Sequence, residues 1–207
     1  MEKPSAELRL AQTHAVALCS HRPKKEKKMK TIQIIPALLL LTALAPSQTA
    51  PAASAPVANP VSSALRDTFP GRQKNTIAAV EAMPAEKFSY KPSPDQMSFG
   101  HLVAHMIESN NAFCSMASAV PAPKVEEVKE TDVKDKLVAA LKASFAFCGD
   151  ALAKMDDSKL GEMTEAHGQQ ISRARGALIL AGSWADHYAE AAMYLRLNGI
   201  LPPTAKK

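Results

Sequence analysis

Ser183-Trp-Ala-Asp-His-Tyr-Ala-Glu-Ala-Ala-Met-Tyr-Leu-Arg-Leu-Asn-Gly-Ile-Leu-Pro-Pro203 carries the strongest structural signal in the chain. Alanine, leucine and methionine favour a helix here, and that helix has a clear end. Asn198-Gly199 offers the left-handed residue that closes a helix, and Pro202-Pro203 cannot continue one. Inside the apolar run stands a histidine, His187.

Three further helices follow from the same reasoning. The first spans roughly Ser62 to Met83, with Pro84 just beyond it; Pro70-Gly71 predicts a kink or a break inside it. Residues 87–96 form a proline-bearing loop. Ser98 is the expected N-cap of the second helix, which carries Phe99, Leu102, Val103, Met106, Asn110, Phe113 and Ala117 at helical spacing and ends by Pro121 and Pro123. A charged loop leads to Thr131-Asp132 as the next cap. The third helix then carries Leu137, Leu141, Phe145, Cys148 and Leu152 on one face. After a polar connector containing His167, the fourth helix runs from about Ser172 to Asn198. Four helices with short to medium connections imply an all-α, antiparallel four-helix bundle.

Charge separates the N-terminal segment from the rest. Residues 1–52 hold eight of the 25 Lys/Arg and three of the 20 Asp/Glu, which leaves 17 of each in residues 53–207. The formal excess of +5 therefore lies outside the helical part, and nucleic acid is not an expected partner. Met29-Lys30 precedes an apolar run from Ile32 to Ala45, too short for a comfortable membrane span, and Ala50-Pro-Ala52 fits a small-residue cleavage pattern. The expected organisation is a leader at 1–28 upstream of the true start at Met29, a signal peptide at 29–52 and a linker at 53–60. The bundle follows at 61–204. The mature domain is expected in the periplasm or secreted, with no stable membrane association after cleavage. An uncleaved signal anchor is the alternative.

Cys19 falls in the removed segment, leaving Cys114 and Cys148. In an oxidising compartment that even pair reads as a disulfide, and two buried thiols is the other reading. C-x-x-C, a glycine-rich phosphate loop, G-x-S-x-G and H-E-x-x-H do not occur. Trp184 and Tyr188, one turn apart, are expected in the core.

On the second helix the apolar stripe centres near Leu102, Val103, Met106 and Asn110, and His105 lies about 110° from that centre. On the fourth, Ala181, Trp184, Ala185, Tyr188, Ala192 and Leu195 mark the stripe, and His187 lies about 120° off it, beside Leu180 and Tyr194. Both histidines border the core, where imidazoles from two helices can converge on one ion.

With Met97-Ser-Phe-Gly-His-Leu-Val-Ala-His105 upstream, the closing helix resembles the DinB-like family of metal-binding four-helix bundles, over residues 59–204. The resemblance implies a divalent-metal site of one histidine on the second helix and an H-x-x-x-H pair on the fourth. His105 matches the first position and His187 the last. Ser183 stands where the family places the middle histidine. Candidate third ligands are His101 and Glu190, with Glu108 also within a turn of His105; Ser183 is expected to line the pocket. Zinc, nickel or iron(II) would suit such imidazoles. Two functions follow: a metal-dependent hydrolase or thiol transferase acting on an unknown small molecule, or a non-enzymatic binding, stress or dimerisation module with a vestigial site. A homodimer is consistent with either.

Overall fold

The computed structural model describes residues 56–166 and 168–205. The expected leader, signal peptide and cleavage site lie outside them, as do Cys19 and His167. Four helices carry the fold: α1 (Pro60–Ala82), α2 (Phe99–Ser118), α3 (Lys134–Ala153) and α4 (Arg173–Leu197). The polar connector between α3 and α4 is more ordered than its sequence suggested. It forms an antiparallel hairpin of β1 (Met163–Ala166) and β2 (Gln169–Ser172), with Met163 paired to Ser172 and Ala166 to Gln169.

Local chemistry sets several of the helix ends. The Ser98 side chain accepts the His101 backbone N–H at 3.0 Å, and Ser172 does the same for Arg175 at 3.3 Å. At the end of α4, Gly199 has φ 73°. Its N–H bonds the Arg196 carbonyl at 3.0 Å and the Ile200 N–H bonds the Leu195 carbonyl at 2.9 Å, the paired closure that a glycine C′ residue permits.

Other ends are capped from across the bundle. The Asp157 carboxylate accepts the N–H groups of Val61 and Ser62 at 2.8 and 2.9 Å, covering the start of α1. The Arg66 guanidinium donates to the carbonyls of Leu152 and Met155 at 3.0 and 2.9 Å, covering the end of α3. These orphaned backbone groups would otherwise need water.

Two expected borders are corrected. Thr131-Asp132 does not cap α3; Val133 occupies that position without a side-chain bond. Asp132 is engaged elsewhere, accepting the Lys129 N–H at 2.9 Å and pairing with Lys136 at 3.1 Å. Nor does Pro70 break α1, which runs through it as one helix. The proline removes one backbone bond, but the neighbouring Phe69 ring packs against Trp184 at 5.4 Å and Phe145 at 6.2 Å. Aromatic burial on that scale offsets a cost of roughly 3 kcal/mol.

Paired contacts give the helix directions. Asp157, just past α3, meets the start of α1, while Lys134, at the start of α3, donates to the carbonyls of Glu81 and Met83 at the end of α1. Those two helices are antiparallel. So are α2 and α4, since Arg173 reaches the Met116 carbonyl and Tyr194 the Met97 carbonyl. By contrast α2 and α3 run in the same direction: Asn110 bonds Ser144, and Cys114 faces Cys148 four residues further along both. The connection 119–133 must therefore return along the whole of α2. Twenty helical residues span about 30 Å and fifteen extended ones reach about 50 Å, so the strap is long enough.

The core is continuous through the bundle, with Phe99, Leu102, Met106, Leu137, Leu141, Phe145, Leu180 and Leu195 essentially inaccessible. At its middle one polar residue joins three helices. Asn110 donates to Ser144 Oγ at 3.0 Å and accepts the Trp184 indole N–H at 3.0 Å. Cys114 and Cys148 lie beside it, both fully buried at disulfide distance, with Cα atoms 5.3 Å apart.

Candidate functional site

His105 projects from α2 and His187 from α4, and the antiparallel contact between those helices brings the rings together. Their centroids are 5.1 Å apart and the planes meet at 77°, edge to face. The two are not equivalent. His105 is exposed, whereas His187 is only 8% exposed.

That burial corrects the expected position of His187 at the stripe's margin. The buried line on α4 is Ala177, Leu180, Trp184, His187, Ala191 and Tyr194. His187 is part of it. Ala181, Ala185 and Tyr188, which shift the apolar pattern of the sequence to one side, are only half-buried. Tyr188 is covered by the C-terminal tail, its hydroxyl bonded to Thr204 Oγ1 at 2.7 Å.

Each imidazole has a serine one helical turn away. Ser183 Oγ lies 3.3 Å from His187 Nδ1, and Ser109 Oγ lies 3.5 Å from His105 Nε2. Loss of water on burial, and then the facing His105, push the His187 pKa down to about 4, against a small opposing pull from Asp186. His187 is therefore neutral at pH 7, the form that ligates metals and accepts or donates single hydrogen bonds.

A cavity of about 450 Å³ opens beside this corner, lined by Phe113, Ile179, Gly182, Ser183, Asp186, His187 and Glu190. Ser183 and Glu190 thus share a cleft with His187. His101 is directed elsewhere: its Nδ1 sits 2.8 Å from Glu130 Oε2, which also accepts the Ser98 hydroxyl at 3.2 Å. Glu108 is exposed on α2. Ser109 and Asp186 were missed in the sequence, although Ser109 mirrors Ser183 in standing four residues from its histidine.

The model of the DinB superfamily matches residues 69–191, more than half of the chain. The chain belongs to the DinB superfamily. Among solved structures, a DinB-like protein from Bacillus subtilis is 18% identical with a TM-score of 0.55, over 70% of this chain and 99% of that one. A DinB-like protein from Bacillus cereus is 13% identical with the same TM-score, over 66% and 92%. At such identities the likeness concerns the fold. No curated protein gives a match.

The geometry of this DinB-superfamily corner suits a shared ion in one respect and not in another. Two imidazoles on one tetrahedral zinc, each with a Zn–N bond of about 2.0 Å, have ring centroids about 5 Å apart. The observed spacing agrees. The donor count does not: among the described residues no three His, Cys, Asp or Glu side chains gather where they could hold a metal. Neither His101 nor Glu190 completes the pair as placed, and Ser183 offers only a neutral hydroxyl. A three-ligand catalytic centre is not assembled from this set.

Proposed function

We propose that this DinB-superfamily bundle is an exported binding protein. Its His105–His187 corner is a remnant metal site that takes zinc, nickel or iron(II) weakly. The observation that carries this reading is Ser183, hydrogen-bonded to His187 Nδ1 where the resembling family has an imidazole. Two imidazoles without a third protein ligand bind divalent ions far less tightly than three. Export follows from the apolar run and small-residue site within residues 29–52, and the neutral balance of residues 53–207 favours a partner other than nucleic acid. No described helix is long and apolar enough to cross a membrane. The outer face of α4 exposes Leu178, Met193 and Leu197, a surface on which a second copy would pack to form a homodimer.

A second reading rests on Glu190, which lines the same cleft as His187 one turn further along α4. A change of its rotamer toward the histidines would give a two-imidazole, one-carboxylate set, and with it a metal-dependent hydrolase or thiol transferase. Metal content separates the two readings. Protein purified from its own exported fraction should carry well under one divalent ion per chain and lose it on dialysis, and the His105→Ala/His187→Ala double variant should carry none. One tightly held ion per chain, released by Glu190→Gln, would favour the enzyme.

A further inference from the structure

On the opposite side of α2 the return strap 119–133 leaves a second and larger cavity. Its volume is about 650 Å³, and it shares no lining residue with the cleft at His187. Ile107 and Asn111 of α2, Ala143 and Phe147 of α3, and Val125 and Val128 of the strap line it. That volume lies within the few-hundred to thousand Å³ typical of small-molecule sites.

Three observations give the cavity a ligand chemistry. Its walls are chiefly aliphatic and aromatic, and α3 contributes small side chains where larger ones would close it. The one cation among the lining residues is already paired: Lys136 Nζ lies 3.3 Å from Glu126 and 3.1 Å from Asp132, and Asp150 is exposed to solvent. No unpaired cation there calls for an anionic ligand. Finally, Asn111 Oδ1 is buried and no group among the described residues bonds it. An amide oxygen in that state is left without the partner it had in water, and the broad amide torsion of asparagine lets it turn toward a donor placed in the cavity.

The strap itself has room to close. Val120 and Val128 pack on the core, while Val125 between them is 57% exposed. An apolar occupant would give Val125 something to cover.

We propose that this cavity binds an uncharged, mainly apolar small molecule carrying a hydroxyl or N–H group, which donates to Asn111 Oδ1. The probe pair is 2-naphthol and its methyl ether, 2-methoxynaphthalene, which differ in the donor alone. Titrated into the purified protein by calorimetry or by their own fluorescence, 2-naphthol should bind saturably at one site, about tenfold more tightly than the ether. Asn111→Leu should bring the two affinities together. Ala143→Trp, at an exposed helix position that tolerates a large residue, should abolish binding of both while leaving metal affinity at the His105–His187 corner unchanged. Absence of saturable 2-naphthol binding, equal affinity for both probes in the unaltered protein, or full binding by Ala143→Trp would each overturn the proposal. Should Asn111→Leu fail to fold, the unaltered protein and Ala143→Trp still decide it.

Discussion

Acidifying the metal-free protein should destabilise it through one identifiable histidine. In the unfolded chain His187 takes up a proton near its ordinary value of 6.5, whereas in the bundle burial and the facing His105 delay protonation to about 4. Between those limits the unfolded state binds more protons, so stability falls as the pH drops. The contribution is fully present above about pH 6.5 and lost progressively down to about 4. At pH 4.5 the difference between the two titrations amounts to about 2–3 kcal/mol. Asp132 and Asp156 also hold depressed pKa values, through hydrogen bonds from Lys129 and Ser158 respectively, but what they contribute is lost mainly below their ordinary value of 3.8, with little of that loss reached at pH 4.5. Comparison with His187→Phe, which keeps a ring in the buried position but cannot titrate, cancels their effect. Urea melts of both proteins in EDTA at pH 7.5 and 4.5 measure the quantity. The unaltered protein should lose about 2–3 kcal/mol more than the variant over that interval. Equal losses, or an NMR titration of His187 centred near 6.5, would refute the placement of this ring in the core.

Replacing both Cys114 and Cys148 with alanine should cost roughly 3–4 kcal/mol, since a bridge across a sequence separation of 34 restricts the unfolded chain by about that much; thiol titration of the exported form should find no free cysteine. Asn110→Ala removes the acceptor of the Trp184 indole and the donor to Ser144 in the buried centre, and about 2–3 kcal/mol of stability should go with it; a loss below 0.5 kcal/mol, on the order of an ordinary surface change, would contradict the three-helix role. N-terminal sequencing of the exported protein should begin at Ala53 or Ser54, and a chain retaining its apolar run would reject cleavage.

What the sequence could reveal was set by how local each determinant is. The serine cap at Ser98 and the glycine closure at Gly199 act within a few residues, so they were legible; Ser172 was read only as the start of the fourth helix. Capping by Asp157 of a helix that begins about a hundred positions earlier was not. The same holds for the parallel run of α2 and α3, because a loop's length permits a crossover without announcing one. At the site, helical spacing placed His105 and His187 on faces that can meet. It set His187 too far out, since Ala181 and Ala185 weighed as much in the pattern as larger residues while burying little area. Asn110 read as one more member of an apolar stripe. Its partners Ser144 and Trp184 lie on other helices, and only the fold joins them.

Affinity for zinc in the Ser183→His variant tests the account of the corner most directly. Ser183 lies one turn before His187 in the same cleft, so the substitution adds a third imidazole to a pair already spaced for a shared ion. Calorimetric titration should show tightening of at least a hundredfold, on the order of what a further protein ligand supplies, and the gain should vanish in Ser183→His/His105→Ala. Unchanged affinity would contradict the account, showing either that the two rings do not share an ion or that another side chain already fills the third position.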